Sequence, residues 1–225
     1  MWCVPRINNE FISRMEDVLR LYARPFRPTE PVVVLDERPV VLHDAARPSL
    51  PVRPGKEARQ DYEYVRRGTA NVFCILEPLT GRRLTHATAN RKGPAFTAAL
   101  QRVARRYRRA TKIHLVMDNL STHAESCLIT ALGETQGRRL WRRFTPHYTP
   151  KHASWLNIAE MEVGLMSREC LVGRRIGDLQ ILQLEVDAWA SSADRARRKV
   201  RWRYRVHDAR RTFRYSAIKT SRAEH

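Results

Sequence analysis

Residues 113–123 read Ile-His-Leu-Val-Met-Asp-Asn-Leu-Ser-Thr-His. The first five are almost wholly apolar and of strand length, and the run stops abruptly at Asp118-Asn119. A second run of the same kind, Val32-Val33-Val34-Leu35, is rich in β-branched residues and stops at Asp36-Glu37. Both read as buried strands, and both deliver an acid at their carboxyl end. In α/β sheets that end opens on the crevice where ligands bind.

The flanking sequence fills in around these two strands. Asn8 or Asn9 is placed to cap a helix in which Phe11, Met15, Val18, Leu19 and Tyr22 recur at helical spacing, and Pro25, Pro28 and Pro31 end it. Residues 44–68 are rich in proline and charge and read as a loop. Residues 71–77 and 82–89 read as two strands joined by the turn Pro78-Leu79-Thr80-Gly81, which makes a hairpin. A helix over 94–110 has Phe96, Leu100, Val103 and Tyr107 on one side and Arg102, Arg105, Arg106, Arg108 and Arg109 on the other. Beyond the strand at 113–117, the pattern predicts a helix around 122–132 and a short fifth strand near 140–144. A turn-rich loop over 145–153 then leads to helices over 154–171 and 178–191. In the basic stretch 194–215, Arg201, Arg203 and Arg205 alternate with Trp202, Tyr204 and Val206, which suggests a strand or an extended arm. A hairpin followed by strand–helix crossovers argues for a mixed α/β sheet flanked by helices. The same order occurs in the ribonuclease H-like fold. It divides the chain into a helical lead-in (1–30), a catalytic-type domain (31–192) and a basic tail (193–225).

Composition narrows the function. The chain has 225 residues, 43% of them hydrophobic and 29% charged, as in folded globular proteins. No run approaches the roughly 18 apolar residues of a membrane span. The opening MWCVPRINNEF has no apolar signal core. A cytoplasmic, nucleoid-associated location is therefore expected. Lys and Arg number 42 against 23 acids, a net charge of +19, and such an excess points to a polyanion, nucleic acid first. Cys3, Cys74, Cys127 and Cys170 are widely scattered with no Cys-x-x-Cys pair, so they read as reduced thiols and signal no zinc site of that type.

Three acids can be weighed together: Asp36, Asp118, and Glu160 on the helix after the long turn. Singly, an aspartate at a strand end is most often a turn former or a helix cap, and Asp118-Asn119 before Ser121-Thr122 fits a cap. Together, three carboxylates offer hard oxygen ligands suited to magnesium or manganese. A pair of such ions can clamp the attacking and leaving oxygens of a phosphodiester.

The stretches that carry these acids resemble a known family. Asp36-Glu37 after an apolar strand, the segment Leu115-Val116-Met117-Asp118-Asn119-Leu120-Ser121-Thr122-His123, and the long block His147-Tyr148-Thr149-Pro150-Lys151-His152-Ala153-Ser154-Trp155-Leu156-Asn157-Ile158-Ala159-Glu160 are similar to insertion-sequence transposases. The branch is the bacterial one allied to the mariner superfamily (the IS-six-thirty group). The opening segment from Trp2 to Leu19 and Asp208-Ala209-Arg210 share the likeness, which spans about residues 2–215.

The resemblance implies a ribonuclease H-like catalytic domain with an acidic metal triad, matched here by Asp36, Asp118 and Glu160. It implies two Mg2+ ions, with Mn2+ able to substitute, that cut element ends and then join the freed 3′-hydroxyl to double-stranded target DNA, usually at TA. Trp155, Asn157, Asn119, His123 and His152 would support the triad. Glu37 and Glu162 are nearby acidic alternatives, and Glu160 ranks first because it completes the Asn-x-x-Glu of the block. A homodimer is implied, and so is a helix-turn-helix region, here encoded separately or lost. The Asp118–Glu160 interval holds 41 residues, longer than is usual in the wider superfamily, and an insertion around 133–140 would absorb the excess. Residues 191–195 (SSADR) depart from the family's Arg-Asn pair.

Basic residues give the expected DNA contacts: Arg105 and Arg109 on one helix, Arg142 and Arg143 by a strand, and Arg198, Lys199, Arg201, Arg203 and Arg205 in the tail. Cations along phosphates bind without sequence preference, and interleaved aromatics stack on bases or stay in the core. Two rival readings use the same residues. One is a nuclease of this fold that cuts without joining. The other is a non-catalytic DNA-binding remnant of a transposase. An RNA-binding module lacks its usual signatures.

Overall fold

The structure, a computed structural model, describes residues 7–47, 54–55 and 62–216. Cys3 and the opening motif Trp2 to Pro5 lie outside the described residues. Five strands form one sheet in the order β3-β2-β1-β4-β5. β1 (Val32–Ala45) and β2 (Tyr64–Glu77) form a long antiparallel hairpin, and β3 (Arg82–Thr88) extends it. β4 (Ile113–Met117) and β5 (Phe144–Tyr148) run parallel to β1 on its other side. This is the mixed sheet of the ribonuclease H-like fold.

The strands alternate faces, as a period of two requires. Val33, Leu35, Phe73, Ile75, Ile113, Leu115 and Met117 point to one face. There they pack on Phe96, Leu100 and Val103 of α2 (Gly93–Arg106) and on Leu128 of α3 (Glu125–Leu132). Val34, Leu76 and Val116 point to the other face, against α1 (Asn9–Tyr22) and the start of α5 (Ala159–Met166). Further along that second face, Val72 and Cys74 meet Met166 and the apolar side of α6 (Leu179–Arg195).

Four elements differ from the sequence expectation. β1 runs on through Asp36-Glu37 to Ala45 rather than stopping there. Residues 44–45 and 64–68 of the expected loop therefore belong to strands, while 48–53 and 56–61 lie outside the described residues. The expected fifth strand starts later, because 134–141 folds as a separate helix, α4 (Glu134–Trp141), in the stretch where extra residues were expected. Gly133, at φ +81°, ends α3 and begins α4, a backbone turn that side chains disfavour. The helix expected over 154–171 is three pieces: a 3-10 turn (Ser154–Leu156), α5, and a π turn (Ser167–Leu171). Finally, the tail is an extended arm and not a strand, and it ends in α7 (Val206–Phe213).

That arm folds back over α1. Trp202 packs on Tyr22 and Trp155, and Tyr204 and Phe213 also stack on Trp155. The buried Glu16 of α1 accepts from Arg210 and Tyr215 and pairs with Arg20. The aromatics of the tail are thus packed on the core, while Arg201 and Arg203 of the arm and Arg211 and Arg214 beyond it face solvent.

α3 and α4 cross with their backbones almost touching. A Cβ on Gly137 would lie 2.6 Å from Ile129 N and 2.7 Å from Leu128 C. Gly137→Ala is therefore expected to destabilise the fold by about 1–3 kcal/mol through overpacking, read as a lower urea midpoint. In a solvated helix the same change stabilises by about 1 kcal/mol, so a raised midpoint would show that the helices do not meet there.

Candidate metal centre

The sheet itself brings the acids together. In the parallel pairing, Val32, Val33 and Val34 lie beside His114, Leu115 and Val116. β4 ends at Met117, so Asp118 leaves the sheet just past this pairing, close enough for its charge to act on the Asp36 carboxyl. Asp36 follows Val34 in the alternation, so its carboxylate shares the face of α5. Glu160 lies in the first turn of α5, and its charge also reaches the Asp36 carboxyl.

Asn157 fixes where that helix begins. Its Nδ2 donates to the Leu35 carbonyl at 2.9 Å, and its Oδ1 accepts from Ala159 N at 3.1 Å. The start of α5 is thereby tied to the residue immediately before Asp36.

The electrostatics record the crowding. Burial first, then the negative charges of Glu37, Asp118 and Glu160, together raise the Asp36 carboxyl to about 7 against one hydrogen bond from Glu37 N. Asp118 and Glu160 thus both bear on Asp36. Asp118 Oδ1 has the His123 ring as its charged neighbour, whereas among the described residues Asp36 gains no such cation. Crowded carboxylates of this kind fit a hard divalent cation, whose charge would offset them.

Glu37, one residue after Asp36, points to the opposite face, toward α2. Its carboxylate accepts from His123 Nε2 at 2.7 Å, and both side chains are fully buried. His123 Nδ1 lies 3.1 Å from the Asp118 carbonyl, its hydrogen-bond partner, and 2.7 Å from Asp118 Oδ1, an electrostatic neighbour out of line for a hydrogen bond. Burial disfavours charge on this imidazole, but Asp118 and Glu37 outweigh it and raise the ring to about 10. The ring also stacks on Phe96 at 4.6 Å, and Tyr148 OH donates to the His123 carbonyl. Glu37, Asp118 and His123 offer ligand atoms within 4.8 Å of one another. Since both ring nitrogens already face protein oxygens, this trio reads as a protonated histidine holding Asp118 in place.

The remaining expected residues fall in three places. Asn119 and His152 line a cleft of about 410 Å³ next to Asp118, together with Arg14 and Lys151, two cations that the sequence reading passed over. His152 sits at φ +60°, in the left-handed region. Trp155 supports the 3-10 turn from within the aromatic cluster. Asp118 is not a helix cap, because α3 begins only after Ala124. Glu162 is buried in an ion pair with Arg83.

The basic candidates divide. Arg105, Arg109 and Arg142 are exposed, but they sit at the C-terminal ends of α2 and α4, by the start of β4. Arg143 donates to the carbonyls of Ala104, Tyr107 and Ala110, and so serves the end of α2. Arg198 pairs with Glu169, and Arg205 NH1 is buried without a partner. Lys199, Arg201 and Arg203 are exposed along the arm.

A family profile described as DDE superfamily endonuclease matches residues 31–183. Among solved structures, the Mos1 mariner paired-end complex with Mn superposes at TM-score 0.51 with 14% identity, over 85% of this chain and 58% of that one. The Mos1 strand transfer complex gives 0.54 and 13%, over 85% and 57%. The Mos1 paired-end complex with Mg gives 0.52 and 13%, over 88% and 60%. The chain thus spans about three-fifths of the proteins it matches, and the likeness at this identity is one of fold. No curated protein matches the sequence. Among the described residues no helix is long and apolar enough to cross a membrane.

In the metal-free state stability is expected to fall as pH rises. The Asp36 carboxyl, raised from 3.8 to about 7, holds a proton in the fold that the unfolded chain releases, so stability is lost between those values. The contribution of His123, raised from 6.5 to about 10, is complete below 6.5 and lost as pH climbs through 10. Asp36→Asn removes the first effect. At pH 8 in EDTA its melting temperature should exceed that of the wild type by about 5 °C, given roughly 2–4 °C per kcal/mol at this size. An equal or lower value would contradict the crowding.

Proposed function

The chain belongs to the DDE superfamily endonucleases, and on that premise we propose that it is the catalytic domain of a DNA transposase of the bacterial, mariner-allied IS-six-thirty branch. Its reaction is metal-dependent cleavage at the ends of a mobile element followed by strand transfer into target DNA, at TA. The observation that supports this reading is the placement of three acids: Asp36 on β1 beside the parallel strand β4, Asp118 just past the end of β4, and Glu160 in the first turn of α5, with Asp118 and Glu160 both acting on the buried Asp36 carboxyl.

Asp36, Asp118 and Glu160 would hold two Mg2+ ions, or Mn2+ in their stead. Bound there, the metals supply charge neutralisation at the scissile phosphate and an activated oxygen nucleophile. The other residues shape that site. The Glu37–His123 pair fixes Asp118 from below, and the buried carboxylate gives His123 its charge. Asn157 locks Glu160 to the Asp36 strand. Arg14, Lys151 and His152, in the cleft beside Asp118, face the approaching phosphates, whose repulsion by the acids they offset. Lys199, Arg201 and Arg203, with Arg105, Arg109 and Arg142, extend the contact along a duplex. Synapsis of two ends calls for a dimer, and sequence-specific end binding for a separate helix-turn-helix region.

Asp36→Asn, Asp118→Asn and Glu160→Gln are each expected to lower Mg2+-dependent DNA cleavage at least ~100-fold, the upper range for perturbing a metal site, with circular dichroism unchanged. Retained cleavage in any one removes that residue from the site. Pre-cut duplex ends offered with a target plasmid then separate a transposase, which joins them, from a nuclease, which does not. DNA binding that is indifferent to Mg2+, with no cleavage, would identify a remnant.

A further inference from the structure

α5 carries Glu160 and is held mainly at its two ends. Asn157 and Ala159 fix its start, and Met166 packs its end into the core. The helix has eight residues, and its buried positions are Ala159, Glu162 and Met166. A helix this short does not hold itself, and helices on a sheet are normally seated by an apolar stripe. Here the inward residue at its middle is an acid. Glu162 is 1% exposed.

Arg83 of β3 grips that acid with both arms of its fork. Nε donates to Oε1 at 2.6 Å and NH2 to Oε2 at 3.1 Å. The guanidinium also donates to the carbonyls of Gly81 at 2.6 Å and Arg198 at 3.0 Å. Residues two apart on a helix point about 200° from each other. Seating Glu162 inward therefore sets Glu160 on the opposite, exposed side of the helix, where its charge still acts on the Asp36 carboxyl.

The basic arm meets the same clamp. Val200 N donates to the Pro78 carbonyl, and the Arg198 side chain pairs with Glu169 on the π turn that follows α5. A Cβ on Gly81, at φ +75°, would lie 2.8 Å from the Arg198 carbonyl oxygen, so the arm lies directly on the β2–β3 turn.

We propose that Arg83 is a positioning residue of the metal centre. Through Glu162 it sets the rotation of α5 that presents Glu160, and through the Arg198 carbonyl it makes that rotation depend on the seating of residues 198–200. The proposal rests on the reading that Asp36, Asp118 and Glu160 hold the metals.

The test is calorimetric titration of Mn2+ into the metal-free chain. Buried ion pairs replaced jointly by apolar residues of similar volume tend to keep their stability, so the double variant Arg83→Met/Glu162→Leu is expected to melt near the wild type. Its Mn2+ affinity should fall by about tenfold, as for other residues that orient ligands from behind. The Mn2+ concentration that half-saturates plasmid cleavage should rise in proportion, while cleavage at saturating Mn2+ recovers. A folded double variant that binds Mn2+ like the wild type overturns the proposal. Should that variant not fold, Glu162→Gln keeps the shape and weakens the grip, and unchanged Mn2+ affinity there overturns it equally. Asp36→Asn, titrated alongside, separates the two levels. If it binds Mn2+ as the wild type does, the metal-centre reading falls and this proposal with it. If it loses Mn2+ while the Glu162 variants keep it, only the role of Arg83 falls.

Discussion

The strand alternation of β1 at Asp36-Glu37 governs the rest of the site. Two consecutive acids in one extended strand must point to opposite faces of the sheet. Asp36 goes to the face of α5 and Asp118, and Glu37 goes to the face of α2 and His123. A slip of one residue against β4 would exchange the two and place the wrong carboxylate beside Asp118. The slip is prevented by the apolar residues before them. Val33 and Leu35 are wholly buried on one face and Val34 on the other, so the core fixes the register and the register fixes the chemistry.

The second constraint is electrostatic. Isolated charge is costly to bury, yet Asp36, Glu37, Asp118, Glu160 and Glu162 all lie around this part of the sheet. The protein offsets only part of that charge itself. His123 sits between Glu37 and Asp118, and Arg83 neutralises Glu162. Asp36 has no cationic partner of that kind, and its carboxyl rises instead. The imbalance is confined to the face that α5 closes, which is where a divalent cation would sit. On the α2 face the charges are already paired.

Much of this was legible in the sequence, for definite reasons. Short apolar runs ending in acids betray buried strands, so β1 and β4 could be placed before any coordinates; Asp118 does follow the end of β4, but Asp36 lies within β1 and not at its end. Glu160 was singled out only through the block of residues that precedes it, because nothing in its own helix marks an active face. The function of Glu37 was not legible, since a strand read as ending at Asp36 has no face to assign to the next residue. Likewise, the helix over 154–171 looked continuous because its breaks come from tertiary ties at Asn157 and the π turn, not from glycine or proline. The alternation at 201–206 gave the right facing but not the right partner. Period two describes any extended chain, paired in a sheet or laid across a core, and Trp202 and Tyr204 find their packing against Tyr22 and Trp155.

The net charge of +19 is the feature most easily over-read. Several arginines that swell it serve the interior. Arg83 clamps Glu162, Arg143 ends α2, Arg210 joins α7 to α1, and Arg24 meets His114 and Glu30. Of the exposed ones, Arg105 stands about 14 Å along α2 from Phe96, the residue that meets His123, and Arg109 lies farther still. They stand away from a scissile phosphate, but a rigid duplex crossing the molecule would meet them. The cations that matter at the reacting bond are few and local: Arg14 and Lys151 in the cleft beside Asp118. Their signal in the sequence is weak, since one is partnered by Glu10 on its own helix and the other sits in a turn. Only the fold, by bringing the first helix against the loop after β5, turns them into neighbours of the acids.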